Sequence, residues 1–133
     1  MSRENVEVVR ASWTAYARED FDACLSMYAD DTVWDDTRYR PDGAVHRGRD
    51  ALVELVLAWR GAFDRYTVEV EEVVGCDGDR VAVAARETGR GRAGGVEMTN
   101  RWGVVATVRS GLIAHTTVYR TPEEAFQAAG LRD

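Results

Sequence analysis

The stretch from Tyr66 to Ala85, YTVEVEEVVGCDGDRVAVAA, decides the fold. Its first apolar residues, from Tyr66 to Val70, alternate with polar ones, which is the two-residue period of a half-buried strand. Asp77-Gly78 is a strong signal for a two-residue hairpin turn, and the apolar alternation resumes after it. The stretch therefore predicts two antiparallel strands joined by a tight turn.

The remainder of the second half of the chain continues this pattern. The returning strand extends as far as Gly89, and a glycine- and arginine-rich loop follows over Gly89–Gly95. Val96–Val108 then forms a long strand, which a turn at Arg109-Ser110-Gly111 connects to a last strand, Leu112–Arg120. Four consecutive strands joined by hairpins predict a curved antiparallel sheet.

The first half instead has the 3.6-residue period of amphipathic helices. Arg3–Arg18 carries one apolar stripe, Asp20 caps a short second helix, and a third helix covers Arg49–Phe63. A fourth helix opens near the end of the chain at Thr121, which has capping-box spacing to Glu124. The order of elements is α-α-β-α-β-β-β-β-α, with no internal repeat and no linker.

This order predicts a single α+β domain over residues 1–133. The first three helices carry apolar stripes and can cover only one face of the curved sheet, which leaves a cone open at one end. Such a concavity is a natural site for a small hydrophobic molecule. The opposite face would expose an apolar patch around the strand that contains Val81 and Val83, so we expect a homodimer.

The composition excludes several classes of partner. The net charge of −6, from 23 acidic and 17 basic residues, argues against binding to nucleic acid. Met1–Arg10 lacks the apolar run of a signal peptide, and the longest apolar stretch, Ala51–Trp59, is too short to span a membrane. Cys24 and Cys76 form no metal-spaced motif, and no phosphate-binding or dinucleotide-binding motif is present. We therefore expect a reduced, cytoplasmic protein without a metal or cofactor.

Two adjacent carboxylates end the short strand predicted at Thr32–Asp35. Val33 and Asp35 point to one side of this strand, whereas Trp34 and Asp36 point to the other. We expect Asp35 to face the cavity, where apolar surroundings raise the pKa of its carboxyl group and suit it to act as a general base. Asp36 is then expected to face solvent or the loop. The alternative is that both acids only end the strand and begin the loop.

The pieces YADDTVWDD, HRGRDAL and VYRTPEEAFQAAG, in this order of elements, resemble the nuclear transport factor 2-like superfamily. More narrowly, the chain resembles the SnoaL-like group, which contains polyketide cyclases and is similar to ketosteroid isomerases and limonene epoxide hydrolases. The resemblance covers essentially the whole chain. It implies a cystatin-like roll, in which the N-terminal helices wrap the curved antiparallel sheet into a cone, and it implies a homodimer.

Only some of the catalytic residues of the related enzymes have a counterpart in this sequence. Asp35 falls on the position of the general base of the ketosteroid isomerases. Their oxyanion tyrosine corresponds to a position near Ser12, with Tyr16 one turn away, and their late acid corresponds to a region without a carboxylate, Asn100–Gly103. Steroid isomerisation is therefore not expected, and the acid–arginine–acid relay of the epoxide hydrolases is also missing. The cyclases need little more than one acid in an aromatic cavity, which is the closest match.

This resemblance implies a cofactor-free lyase, isomerase or cyclase that acts on a small hydrophobic carbonyl compound. A non-catalytic binding protein with the same cavity and a structural domain with a filled cone remain alternatives. Asp35 is the first catalytic candidate. His115 is the second, because it alternates with Ile113 and Tyr119 and so could face the cavity, although a structural role is the alternative.

The remaining candidates are residues that the predicted strands and helices would place in the wall or at the mouth of the cavity. These candidate substrate-binding residues are Tyr16, Tyr28, His46, Trp59, Asn100, Trp102 and Tyr119. For the aromatic residues among them, a place in the core is the alternative. Glu87 and Arg101 are expected to pair across the sheet or at a dimer interface instead.

Overall fold

A computed structural model describes residues 2–131 and shows the predicted α+β class. The helices are α1 (Ser2–Ala17), α2 (Phe21–Leu25), α3 (Arg49–Gly61) and α4 (Pro122–Ala128). The strands are β1 (Tyr28–Asp35), β2 (Val45–Arg47), β3 (Phe63–Gly75), β4 (Arg80–Gly91), β5 (Glu97–Arg109) and β6 (Leu112–Tyr119). They form one curved, unclosed sheet.

The sheet has the strand order β2-β1-β6-β5-β4-β3. The four long strands β3 to β6 pair in antiparallel fashion, as their hairpin turns predicted. The pairing of β1 with β6 is parallel, so the sheet as a whole is mixed. The short strand β2, which was not predicted from the sequence, pairs with β1 at the edge of the sheet. Parallel pairing was not expected because it joins segments that are far apart in the chain.

Local signals fix the ends of the helices. The side chain of Asp20 accepts a hydrogen bond from the backbone N–H of Ala23 and so caps α2. Thr121 caps α4 in the same way by accepting from the N–H of Glu124, and Pro122 opens that helix. Ser110 and Gly111, with φ angles of 52° and 78°, make the tight turn between β5 and β6.

Helices cover both faces of the sheet. The helices α1, α2 and α3 pack on the inner face, which includes Val81 and Val83 of β4. Helix α4 packs on the outer face through Ala125 and Phe126, against a cluster that includes Ala84. The expectation of a bare apolar patch around Val81 and Val83 is therefore wrong, because both side chains are fully buried on the inner face. The homodimer remains a prediction.

The outer face beyond α4 carries charged side chains. Arg101 donates to Glu71 at 3.0 Å across the sheet, and both side chains are partly exposed. Arg101 thus pairs within the chain, but its partner is Glu71 and not Glu87 as expected.

Within residues 2–131, no helix is long and apolar enough to cross a membrane.

Candidate active site

A cavity of about 110 Å³ lies between the inner face of the sheet and the helices α1, α2 and α3. All four tryptophans of the chain line it: Trp13, Trp34, Trp59 and Trp102. Trp13 stands near the centre of this wall, with its ring 5.1 Å from Trp102 and 6.5 Å from Trp34 between centroids. Offset and tilted ring contacts of this kind hold the wall in place.

The end of β1 places Asp36, and not Asp35, in the cavity wall. Asp36 is 5% exposed, whereas Asp35 is half-buried outside the cavity wall and accepts hydrogen bonds from the N–H and hydroxyl of Thr37 at 2.9 and 2.6 Å. These hydrogen bonds hold the pKa of Asp35 below its usual value, and the bond from the hydroxyl of Thr37 has the largest effect. The expected orientation of the two acids and the raised pKa of Asp35 are therefore wrong.

Asp36 reaches the cavity, and Asp35 does not, because of the side of β1 that faces the helices. The two carboxylates do point to opposite sides, as the pleat requires. The side that carries Tyr28 and Trp34 meets the cavity, however, and Asp36 continues that side. Both sides of β1 carry an apolar residue, so alternation within the strand cannot tell which one faces inward.

Asp36 also holds the loop that closes one wall of the cavity. Its backbone N–H donates to the carbonyl of Ala44 at 3.1 Å, and its Oδ1 accepts from the N–H of Ala44 at 2.7 Å. Its Oδ2 lies 3.6 Å from Nη2 of Arg40 and 3.4 Å from Nε2 of His46. His46 was predicted at the cavity mouth, but the structure places it behind Asp36 on β2. The loop itself contributes Tyr39 and Arg40 to the wall.

Glu87 is a second carboxylate in the cavity wall, and its position was not predicted. It is 2% exposed and accepts a hydrogen bond of 2.5 Å from the hydroxyl of Tyr66. The hydroxyl of Tyr16 donates in turn to that of Tyr66 at 3.4 Å. A signal for Glu87 was present in the sequence, because it continues the inward alternation of Val81 and Val83.

Burial keeps the phenols of this chain of hydrogen bonds protonated. It raises the pKa of Tyr16 to about 12, and it raises the pKa of Tyr66 strongly as well. Both hydroxyls are therefore hydrogen-bond donors at neutral pH. Burial also raises the pKa of the thiol of Cys24, another residue of the wall, to about 12, so this thiol is protonated.

Four of the seven predicted substrate-binding residues line the cavity: Tyr16, Tyr28, Trp59 and Trp102. Asn100 stands next to the wall and donates from Nδ2 to the hydroxyl of Tyr39 at 2.8 Å. Whether any of these residues binds a substrate stays a prediction.

His115 and Tyr119 lie outside the cavity, contrary to expectation. Ile113 faces inward, but β6 has a bulge between Ile113 and His115. Over this interval β6 advances by two residues while its partner strand β5 advances by one. The extra residue reverses the alternation, so Thr116 and Val118 face inward after it. Tyr119 packs in the outer cluster beneath α4, and His115 acts electrostatically on Asp35, outside the cavity wall.

Metal-binding side chains do not gather in the part of the chain that the structure describes. Among residues 2–131, no group of three or more His, Cys, Asp or Glu side chains is arranged to hold a metal ion. The chemistry that this cavity can support with its own residues is proton transfer, by two carboxylates and several phenols.

Comparison with solved structures identifies several similar proteins. A candidate polyketide cyclase from Xanthomonas campestris is 24% identical, with a TM-score of 0.74, over 92% of this chain and 94% of that one. Another candidate polyketide cyclase, from Sinorhizobium meliloti, is 28% identical, with a TM-score of 0.67, over 84% of this chain and 93% of that one. A cystatin-fold protein from Novosphingobium aromaticivorans is 20% identical, with a TM-score of 0.75, over 90% of this chain and 99% of that one. No curated protein sequence matches the chain.

These neighbours share the curved sheet and its helices, which confirms the cystatin-like roll. The model of the SnoaL-like domain matches residues 9–116, a range that contains both cavity carboxylates and all four tryptophans. The predicted resemblance is thereby confirmed. The chain belongs to the SnoaL-like domain family of the nuclear transport factor 2-like superfamily.

Proposed function

We propose that this protein is a cofactor-free lyase, isomerase or cyclase that moves a proton at the carbon next to a carbonyl group. The observation that carries the proposal is Asp36, a carboxylate that lines an aromatic cavity at the end of β1. The role of general base, expected for Asp35, passes to its neighbour because only Asp36 reaches the cavity. Related polyketide cyclases support the class of reaction.

The size of the cavity limits the substrate. An apolar cavity of about 150 Å³ holds one benzene ring, and this cavity has a volume of about 110 Å³. Its walls are flat aromatic rings, which favour a flat or cyclic hydrophobic body. We therefore expect a substrate with a single ring or an equally compact skeleton, and not a steroid.

In the proposed mechanism, Oδ2 of Asp36 takes a proton from the substrate carbon. The C–H bond breaks, its electron pair forms the double bond of an enolate, and the proton moves to Asp36. The N–H of Ala44 holds the other carboxylate oxygen in place. The hydroxyl of Tyr16 can turn from Tyr66 to the substrate oxygen and donate to it as negative charge develops. In an isomerase, Asp36 then returns the proton to another carbon of the enolate. In a cyclase, the enolate carbon instead attacks a second carbonyl carbon of the substrate, the π bond of that carbonyl breaks, and its oxygen takes the proton back from Asp36.

Hydrogen–deuterium exchange tests this proposal without knowledge of the natural substrate. The purified protein is mixed with small cyclic ketones in D₂O, and NMR follows the loss of the protons next to the carbonyl. Asp36→Asn keeps the acceptor for Ala44 but removes the base, so we expect the exchange rate to fall about 10²- to 10⁴-fold. Asp35→Asn is the matched control, because Asp35 is not part of the cavity wall, and it should exchange at the wild-type rate.

Two results would contradict the proposal. Full exchange by Asp36→Asn would show that Asp36 is not the base. Binding of the ketones by the wild-type protein without any exchange would favour the alternative of a non-catalytic binding protein.

We also propose that the protein acts as a homodimer in the cytoplasm. The family resemblance supports the dimer. Cys24 and Cys76 are both buried and unpaired, which suits a reducing compartment.

A further inference from the structure

The charges in the cavity wall are unbalanced. Among the described residues, the wall contains two carboxylates, Asp36 and Glu87, and one guanidinium, Arg40. Arg40 and His46 both lie close to Asp36. Glu87 has no arginine or histidine of residues 2–131 within ion-pair distance, and its hydrogen bond comes from the neutral phenol of Tyr66. The carboxyl group of Glu87 therefore has no ion-pair partner among residues 2–131.

Arg60 lies close to this region but does not neutralise Glu87. Its guanidinium carbon lies over the ring of Tyr66, 4.6 Å from the centroid, and is not part of the cavity wall. Its Nη2 forms an ion pair with Glu19. Arg60 therefore forms its ion pair with Glu19 and not with Glu87, and Glu87 stays without a cationic partner among the described residues.

A buried carboxylate needs a proton or a cation to offset the loss of its hydration. Glu87 is only 2% exposed, so water offers little compensation. The rings around it are suited to a cation, because the face of an indole or phenol carries negative partial charge and attracts ammonium groups. Trp13, Trp34 and Trp102 contribute such rings to the same wall.

We infer that the molecule in this cavity carries a positively charged nitrogen on a compact hydrophobic body, with its charge held between Glu87 and the indole rings. The inference rests on the proposed function in using the same cavity, and it narrows the substrate class to carbonyl compounds that also contain an amine or a quaternary ammonium group. Asp36 then performs the proton transfer, and Glu87 selects molecules that carry a positive charge.

Three compounds of the same shape test this inference. Choline, 3,3-dimethyl-1-butanol and 3,3-dimethylbutanoate share a compact branched body and carry a positive, a zero and a negative charge, respectively. Calorimetry or ligand-observed NMR at neutral pH gives the dissociation constant of each. We expect the wild-type protein to bind choline about tenfold more tightly than the neutral alcohol, and to bind the anion most weakly.

Two variants locate the source of this preference. Glu87→Gln keeps an acceptor for Tyr66 but removes the charge, so it should bind choline and the alcohol with affinities within about twofold of each other. Unchanged binding of the alcohol would show that its cavity is intact. Glu69→Gln removes the same charge from an exposed position on β3 and should keep the wild-type preference.

A wild-type protein that binds the alcohol or the anion as tightly as choline would overturn the inference, even if Glu87→Gln failed to fold. A preference for choline that survives Glu87→Gln would also overturn it. The proposed function fails separately, because it depends on exchange by Asp36. A protein that prefers choline but exchanges no protons would satisfy this inference and contradict the proposed reaction.

Discussion

The two faces of the sheet are both apolar, but they meet their helices through side chains of different size. The inner face meets α1, α2 and α3 through large rings, and a cavity remains between them. On the outer face, the small residues Gly103 and Ala125 let α4 approach so closely that Phe126 of this helix is fully buried, and a Cβ added to Gly103 would lie 2.7 Å from the Cβ of Ala125. Small side chains let a helix approach until the contact is filled, whereas large rings hold it away and leave space for a ligand.

Substitutions that add volume should have opposite effects on the two faces, and this is the largest effect that we expect on stability. Gly103→Val would bring side-chain atoms against α4 and against the carbonyl oxygen of Val83, only 3.1 Å from the added Cβ. Because backbone cannot give way cheaply, we expect a loss of about 3 kcal/mol in the free energy of unfolding, measured by urea denaturation.

The matched change on the inner face is Val56→Phe, at a half-buried position in the cavity wall. Because space is available there, it should cost less than about 1 kcal/mol in the same measurement while weakening the binding of cavity ligands. Equal losses in both variants would show that the two faces are packed alike.

Alkaline pH should expose a second, smaller difference, because the inner face buries phenols. The pKa of Tyr16 is raised from 10.0 to about 12 in the folded protein. A raised pKa means that its contribution to stability is present below pH 10 and is lost as the pH rises through about 12. We expect this loss to be about 2 to 3 kcal/mol, which is the free-energy equivalent of a pKa raised from 10.0 to about 12.

Tyr16→Phe isolates that contribution. The difference in unfolding free energy between the variant and the wild-type protein is measured at pH 8 and at several values between pH 10 and 12. The wild-type protein should lose more stability than the variant over this range, since the variant has no phenol at this position to ionise. Parallel curves would mean that burial of Tyr16 is not coupled to folding.

The smallest predicted effect distinguishes Asp35 from the buried acid beside it. Hydrogen bonds from Thr37 lower the pKa of Asp35 in the folded protein, so their stabilisation is present above the ordinary aspartate pKa and disappears as the pH falls through the folded value. Thr37→Val removes the stronger of these bonds and should raise the pKa of Asp35, measured by NMR titration. Because these hydrogen bonds are exposed to solvent, the cost at neutral pH should stay below about 1 kcal/mol. An unchanged pKa would contradict this account.

The sequence predicted those parts of the fold that depend on neighbouring residues. Helical and strand periods, the turns at Asp77-Gly78 and Ser110-Gly111 and the cap at Thr121 are local signals, and the structure contains each of them. The position of α4 is different. Its own pattern shows one apolar side, but which face of the sheet receives it depends on contacts with strands distant in sequence.

The candidate site was predicted in kind but only partly in detail. An acid at the end of β1 and an aromatic cavity were expected, but the choice between Asp35 and Asp36 depends on the pairing of β1 with β6. The placement of His115 failed because one bulge reversed the alternation of β6. Glu87 could have been found from its inward alternation on β4. Charge compensation, which decides its proposed role, depends on which arginines approach in three dimensions.

The parallel contact between β1 and β6 has a consequence for the order of folding. The hydroxyl of Thr32 donates to the carbonyl of Ile113 across 81 positions of the chain, whereas β5 and β6 meet through a tight turn. Closing a long loop costs more entropy than closing a short one, so the strands β3 to β6 should assemble before β1 joins them. The cavity takes walls from both parts and is complete only after this last step. A ligand therefore acts mainly on the finished structure, where it slows unfolding and does little to speed folding.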